Sequence, residues 1–237
     1  MARAGDMIDG ERAPVHSRKD GFDVYNRAGG KDYWPVLEAF LRGRVETENL
    51  KHNRSKRKVY AFEYGGARYV LKRDLMRSAG LRRLFPGGGW TFHTRAMRKV
   101  NRAVDRGCRA TPDIFLVAER WTGLLRQEVF ALMEFVDGEM LLLGGEIAKY
   151  RSAIGEVMAE LHAHGVTLSD VNARNYLVGP RGLKVIDLAC RFPDALEMAR
   201  DAVKVKIKFA VDLPPRGIVD ASLRAAIALF YKIRGKA

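Results

Sequence analysis

Three oxygen-bearing side chains follow one another closely near residue 170. Asp170 is followed five positions later by Asn175, and Asp187 comes after a short turn at Gly179-Pro180-Arg181-Gly182. A carboxylate can orient a hydroxyl and accept its proton, while an amide oxygen and a second carboxylate are ligands that Mg²⁺ accepts. A loop and the hairpin after it can bring these groups together. The spacing therefore predicts phosphoryl transfer to a hydroxyl, with Asp170 as the base and with Asn175 and Asp187 as magnesium ligands.

The same residues also have a purely structural interpretation. Asp170, Asn172 and Asn175 are residue types that commonly cap and turn loops. Their occurrence together with Asp187, directly after an amphipathic helix, favours the catalytic interpretation. The apolar stripe of that helix consists of Tyr150, Ile154, Val157, Met158 and Leu161.

Strand patterns dominate the first half of the chain and helical patterns the second. The predicted elements are a helix at 33–41, strands on both sides of Gly65-Gly66, a basic helical stretch after them, a basic helix at 91–106, strands at 114–120 and 125–135, the helix before Gly165, strands at 175–178 and 183–188, and helices after Pro193. This order predicts an α+β protein with a sheet-rich N-terminal lobe and a helical C-terminal lobe. We expect a polar N-terminal extension at 1–30, an N-lobe at 31–133 and a C-lobe at 134–237.

The chain is strongly basic. Lys and Arg total 42 against 28 acidic residues, which gives a net charge of +14 and favours a polyanionic partner. Aromatic and basic residues are not interleaved as in single-strand binders, so no nucleic acid partner is expected. The chain begins without an apolar signal segment and has no run of 18 apolar residues, which predicts a cytoplasmic protein. Cys108 and Cys190 are predicted to be packed thiols.

The loop at Asp170 resembles the catalytic loop of the protein-kinase-like superfamily, in which Asp and then Asn occur at this spacing and a later Asp chelates magnesium. Ser169 stands where protein kinases have arginine, and Leu188-Ala189 replaces the phenylalanine and glycine that follow the metal-binding aspartate. From residue 60 to residue 188 the chain is similar to small bacterial kinases of lipopolysaccharide core sugars, particularly the core heptose(II) kinase family. The resemblance implies a protein-kinase-like two-lobed fold with a truncated helical C-lobe, ATP and Mg²⁺ as cofactors, and a sugar hydroxyl as acceptor.

The resemblance also implies the nucleotide contacts. Lys72 ends a strand and resembles the lysine that holds the α- and β-phosphates. Residues 132–138 resemble the hinge between kinase lobes, where backbone groups of Glu134 and Val136 would bind the adenine edge. Two departures are evident: basic residues at 51–58 replace a glycine-rich loop, and the helix at 91–106 has no Glu to pair with Lys72. Asp105, Glu119 and Glu128 are alternative partners, or the lysine has none.

The catalytic loop does not identify the acceptor. An aminoglycoside-type or protein-directed kinase is one alternative, and a non-catalytic pseudokinase or basic binding module is another. The basic excess suits a lipopolysaccharide core glycan at the anionic inner face of the cytoplasmic membrane. The last helix is predicted either to pack on the C-lobe or to touch lipid, and His93 is predicted to be a surface residue.

Overall fold

In the computed structural model, two compact units are formed. The residues that the structure describes are 14–50, 57–75, 78–79, 91–141, 146–168, 170–188 and 194–235. Unit 1 comprises Met1–Asn101 and Asp113–Phe135, and unit 2 comprises Arg102–Pro112 and Val136–Ala237. Unit 1 is dominated by a sheet and unit 2 by helices. The expected α+β class is therefore confirmed.

The sheet of unit 1 has eight strands among the described residues. They are β1 Val15–Lys19, β2 Phe22–Asn26, β3 Thr47–Asn49, β4 Arg57–Tyr64, β5 Ala67–Asp74, β6 Ser78–Ala79, β7 Ile114–Thr122 and β8 Leu125–Glu134. Their order is β1-β2-β7-β8-β5-β4-β3, with β6 on β8. The predicted hairpin at Gly65-Gly66 and the strand pair β7–β8 are confirmed.

The core of unit 1 lies between the sheet and the helix α1, Trp34–Leu41. Apolar residues alternate along β2, β4, β5, β7 and β8, so one face of the sheet is apolar there and packs against α1. Val36 and Leu37 of the helix and Leu71 of β5 are completely buried there. Pro35 lies in the first turn of α1, where its missing N–H has no helical partner to lose. The predicted helix at 33–41 is confirmed.

Part of the expected N-terminal extension belongs to the sheet. Strands β1 and β2 pair with each other, and β2 also pairs with β7 along its whole length. Phe22 and Val24 are buried, because alternate residues of β2 face the core. Polar residues between them conceal this alternation in the sequence. The expectation of a loose extension at 1–30 is thus wrong for residues 15–26, and residues 1–13 lie outside the described part of the chain.

The segment after β5 also differs from the prediction. Ser78–Ala79 pairs with Arg126 and Leu125 of β8 as the short strand β6, where a basic helical stretch was expected. Most of that stretch, the basic residues 51–56 and Cys190 lie outside the described residues. Cys108 is buried, as predicted.

Unit 2 combines helices with a small sheet. Its described elements are α3 Glu146–Lys149, α4 Arg151–Ala163, α5 Asp194–Phe209, α6 Ile218–Ile233, β9 Glu139–Met140, β10 Tyr176–Gly179 and β11 Gly182–Val185. The buried stripe of α4 includes Ile154, Met158 and Leu161, which confirms the predicted amphipathic helix. In the described residues no helix is long and apolar enough to cross a membrane.

Residues 102–112 join unit 2 although they follow unit 1 in the chain. The helix α2, Phe92–Asp105, continues into this segment. The Arg109 N–H donates to Glu160 of α4 over 2.6 Å, and the Val185 N–H donates to the Ala110 carbonyl over 2.7 Å. These bonds tie the segment to α4 and β11. The predicted N-lobe is one continuous range, 31–133, and includes residues 102–112, which the structure assigns to unit 2.

Two glycines let backbone segments of unit 2 approach closely. A Cβ added to Gly179 would lie 2.3 Å from the Asp137 carbonyl oxygen, and one added to Gly138 would lie 2.8 Å from the Val178 carbonyl oxygen. No side chain fits at either distance. Both glycines are therefore required for the crossing that pairs β9 with β10 beside the candidate loop.

Candidate functional site

The loop at Asp170 and the hairpin after it are joined by backbone hydrogen bonds. Leu168, two residues before Asp170, forms an antiparallel bridge with Leu188, the residue after Asp187. The Ile186 N–H donates to the Asn175 carbonyl over 2.8 Å. The chain folds back along β10 and β11 and returns to its starting point. Asp170, Asn175 and Asp187 are consequently brought to one end of the hairpin.

The amide of Asn175 is held in one orientation. Its Nδ2 donates to the backbone carbonyl of Asp170 over 2.8 Å. This bond fixes the amide nitrogen toward the loop, so the amide oxygen lies on the other side of the same planar group. The hydrogen bond therefore links Asp170 directly to Asn175, five residues later in the chain.

Asp187 has an unusual backbone conformation. Its φ is +65°, in the left-handed region that disfavours most side chains, and its side chain is exposed. Asp and Asn tolerate this region better than other non-glycine residues do. β11 ends at Val185, earlier than the strand predicted at 183–188, because the chain turns at Asp187. Such strain is common at functional sites, and here it lies on the carboxylate that was predicted to bind a metal.

A lysine from α5 lies beside Asp170. The Asp170 side chain is 63% exposed, and the Lys208 Nζ is 3.7 Å from its Oδ1. Lys208 also donates to the backbone carbonyl of Val171. Local sequence patterns do not link Lys208 to the loop. The structure instead gives the loop a cation next to its candidate base.

Two buried acidic residues of α5 hold the start of the loop. The Thr167 hydroxyl donates to Glu197 over 2.6 Å, and the Leu168 N–H donates to Asp201 over 2.6 Å. His162 of α4 lies 3.6 Å from the same Asp201 carboxylate. Burial raises the pKa of the Asp201 carboxyl above its usual value, and the nearby His162 ring and the Leu168 N–H offset only part of that rise.

The anchoring role of Glu197 and Asp201 was not predicted from the sequence. Glu197 and Asp201 are four residues apart, on the same side of α5 as the buried Val205 and Phe209. Two carboxylates in an apolar helical stripe need buried partners. The four-residue spacing could have indicated this role, because it places both acids on the buried side of α5.

Replacing Asp201 tests how far the loop depends on α5. Asp201→Ala leaves the Leu168 N–H without its acceptor and should lower the free energy of unfolding by about 2–4 kcal/mol. Asp201→Asn keeps an acceptor oxygen and should cost less. Urea unfolding measures both. Asp212→Ala is the control, because that side chain is 74% exposed; an Asp201→Ala change as small as the control's would contradict the anchoring role.

The donor set of the loop suits a hard cation. Asn175 and Asp187 offer an amide oxygen and a carboxylate, and Mg²⁺ uses such groups together with water and substrate phosphates rather than a full protein cage. No group of three or more His, Cys, Asp or Glu that could hold a metal occurs in the described residues. Asn175 and Asp187 would suit a magnesium ion that a phosphate ligand also holds.

Lys72 lies on the face of the sheet opposite α1. It pairs in register with Val59 of β4 and Ala131 of β8, while its neighbour Leu71 faces the core. Glu128 faces the other side of the sheet from Lys72, where it pairs with Arg73 over 2.6 Å. Strand alternation thus excludes Glu128 as the partner of Lys72.

Glu119 shares the Lys72 face of the sheet but has contacts of its own. It lies opposite Val129 in the β7–β8 register, and directly opposed residues project to the same face. Glu119 is completely buried and accepts a hydrogen bond of 2.7 Å from the Thr91 hydroxyl. It also lies 3.6 Å from Arg126. These contacts are made by Glu119 Oε1, and the second carboxylate oxygen, Oε2, is buried without a hydrogen bond from any described residue.

His93 is not the surface residue that we expected. It lies in the first turn of α2, and burial lowers its pKa to about 4, with help from the positive charges of Arg126, Arg57 and Lys72. The imidazole is therefore neutral near pH 7. It shares a cationic environment with the predicted phosphate-binding lysine.

The lowered pKa predicts acid sensitivity. Below its usual pKa of 6.5, His93 takes up a proton in the unfolded chain but not in the folded one, so stability is lost as the pH falls from about 6.5 towards about 4. His93→Gln should reduce this loss by on the order of 2 kcal/mol. Urea unfolding of both proteins at neutral and acidic pH provides the comparison. His93 is half-buried, and an unchanged pH dependence in the variant would contradict a neutral imidazole at this position.

The two residues expected at the hinge lie in the chain on either side of the point where unit 1 ends, at Phe135. Glu134 ends β8, and its N–H donates to the Asp113 carbonyl over 3.0 Å. An adenine contact of Glu134 would therefore fall to its carbonyl oxygen. Val136 is the first residue of the second segment of unit 2. Their roles in nucleotide binding stay predictions.

The chain matches one known protein family over most of its length. The model of a family of lipopolysaccharide core biosynthesis proteins matches residues 15–220. The chain belongs to this family, which is called WaaY. The lipopolysaccharide core heptose(II) kinase WaaY of Escherichia coli is 23% identical over 230 residues, which cover 93% of this chain and 98% of that protein. The WaaY of E. coli strain K12 is 22% identical over 190 residues, with coverages of 79% and 82%.

Two solved structures show a weaker similarity. WaaP in complex with acyl carrier protein has a TM-score of 0.47 and 18% identity, over 87% of this chain and 86% of that chain. The apo form of a thermostable mutant of aminoglycoside phosphotransferase APH(4)-Ia has a TM-score of 0.46 and 12% identity, with coverages of 84% and 82%. The family assignment rests on the sequence match.

Proposed function

We propose that this protein is an ATP-dependent kinase that phosphorylates a heptose hydroxyl of the lipopolysaccharide core. The observation that carries the proposal is the match of residues 15–220 to the WaaY family. The similar E. coli protein of the same name is a lipopolysaccharide core heptose(II) kinase. The hairpin that gathers Asp170, Asn175 and Asp187 supports it, because these side chains are of the types that phosphoryl transfer needs.

In this mechanism Asp170 is the residue that meets the acceptor. Its exposed carboxylate accepts the hydroxyl proton, or orients the hydroxyl, as the oxygen attacks the terminal phosphate. Loss of the ATP γ-phosphoryl group to that oxygen leaves ADP. Lys208 lies close enough to fix the carboxylate and to offset negative charge at the loop. Alignment and charge neutralisation supply most of the rate enhancement.

The remaining roles belong to nucleotide binding. Asn175 and Asp187 would hold Mg²⁺, which when bound neutralises charge on the phosphates. Lys72 would contact the α- and β-phosphates. Backbone groups of Glu134 and Val136 would bind the adenine edge. ATP and the core glycan are the partners of this reaction, and it takes place in the cytoplasm at the inner face of the membrane.

The core structure of lipopolysaccharide from cells tests the proposal. Cells that lack the protein should carry a core with one phosphate fewer on a heptose, and the wild-type gene should restore it, as read by mass spectrometry of the released core. A gene that encodes Asp170→Asn should not restore it. An identical core with and without the protein would contradict a heptose acceptor and would favour an aminoglycoside-type or protein-directed kinase.

A thermal-shift experiment separates the kinase from a basic binding module. Stabilisation by ATP together with Mg²⁺, and not by single-stranded oligonucleotides, is expected of the purified protein. Stabilisation by oligonucleotides alone would overturn the kinase proposal.

A further inference from the structure

The helix α6 presents its apolar side chains to solvent. None of its residues is buried, and Ile218 and Ile233 at its two ends are 86% and 76% exposed. Val219, Leu229 and Phe230 are exposed as well. Five of the twelve large hydrophobic side chains that are exposed in the described part of the chain therefore lie on this one helix. We call these five residues the exposed α6 face.

The charged pair of α6 points the other way. Asp220 and Arg224 form an ion pair of 2.7 Å, and their side chains are only 13% and 15% exposed. Arg224 also donates to the carbonyl of Leu213, so the pair is tied to the chain before the helix. A surface helix of a soluble protein normally shows the reverse arrangement, with polar residues outward. Helical spacing puts Ile218, Leu229 and Ile233 together on the outward side.

Positive charge borders the exposed α6 face. Lys232 and Arg234 are exposed at the end of the helix, and the Arg234 guanidinium lies 4.4 Å above the Phe230 ring. The acidic residue of α6, Asp220, is turned inward. An apolar face with basic residues at its border and no outward acid suits a surface that is apolar below and anionic above.

We propose that the exposed α6 face docks on an anionic phospholipid surface, with the helix lying in the plane of the membrane. A second copy of this chain is the competing occupant. The net charge of +14 makes self-association electrostatically unfavourable, while the same charge attracts an anionic surface. Docking would hold the chain where a lipid-anchored acceptor is found; the inference rests on the proposed function for the choice of membrane.

Vesicle flotation of the purified full chain tests the docking. We expect binding to vesicles that contain phosphatidylglycerol, weaker binding to phosphatidylcholine alone, and weakening by salt. The double variant Ile218→Ser with Ile233→Ser should bind anionic vesicles at least about 10-fold more weakly. The control is Leu124→Ser with Leu125→Ser, two residues that are also exposed but lie in unit 1, and it should bind like the wild type.

Two results would overturn the inference. The first is equal vesicle binding by the α6 variant and the control. The second is a dimer in solution that the α6 variant dissociates, without vesicle binding by the wild type, which would identify a second copy as the occupant. Binding is measured without nucleotide or acceptor. An inactive protein that binds vesicles would thus contradict only the proposed function, and an active one that does not bind would contradict only the docking.

Discussion

Asp170→Asn should lower the rate of phosphoryl transfer about 10³-fold, within the range expected for loss of a positioned general base. The fold should be retained, because the side chain is 63% exposed and the backbone carbonyl that accepts from Asn175 is unchanged. Steady-state kinetics with ATP and core glycan measures the loss. It should fall on kcat, while the KM for ATP changes little.

Asp212→Asn is the matched control for this experiment. Like Asp170, Asp212 is an exposed aspartate paired with a lysine of α5, in this case Lys206 over 2.8 Å. The control removes one surface ion pair of the same kind, and such pairs contribute little to stability. Normal turnover by Asp170→Asn, or an equal loss of turnover in both variants, would contradict the role of Asp170 as the general base.

Asp187→Asn should weaken ATP binding in the presence of Mg²⁺ by roughly 100-fold, since a charged ligand is replaced by a neutral one. Asn is the informative replacement because it tolerates the left-handed backbone that φ of +65° requires. Asp187→Ala would add backbone strain to the loss of the ligand. Titration calorimetry of ATP binding with Mg²⁺ and with EDTA separates loss of the metal ligand from other effects. In Asp187→Asn only the magnesium-dependent part of the ATP affinity should fall.

Asp20→Asn controls for the backbone conformation. Asp20 also has a positive φ, +47°, but lies in the turn between β1 and β2 of unit 1. Its replacement should leave nucleotide affinity unchanged. The metal role of Asp187 would be refuted by an affinity that does not respond to magnesium in the wild type, or by equal responses in wild type and Asp187→Asn.

The local sequence was sufficient to predict the loop and hairpin. The Asp170 to Asn175 spacing, Gly182 in the turn and the stripe of α4 are all signals within about thirty residues. The hydrogen bonds that close this unit join residues near in the chain. Short-range patterns carry such information well, and the predicted helix and strands of this region agree with the structure except that β11 ends early, at Val185.

The sequence patterns did not predict contacts between residues that lie far apart in the chain. Asp201 accepts from Leu168, thirty-three residues earlier, and Lys208 reaches Val171 across a similar separation. β2 pairs with β7, which is some ninety residues later, so its short alternation looked like part of a polar tail. His93 has a lowered pKa because packing removes it from solvent and also brings it near cations on strands far from it in the chain. Each depends on tertiary packing that no local pattern encodes.

The most direct test of the proposed activity is transfer of phosphate from ATP to purified core oligosaccharide by the isolated protein. The wild type with Mg²⁺ should add one phosphoryl group to a heptose, which mass spectrometry and fragmentation of the product would locate, and the Asp170→Asn protein should add almost none. Transfer that is equal in the two proteins, or a core that stays unmodified while a different acceptor is phosphorylated, would contradict the account.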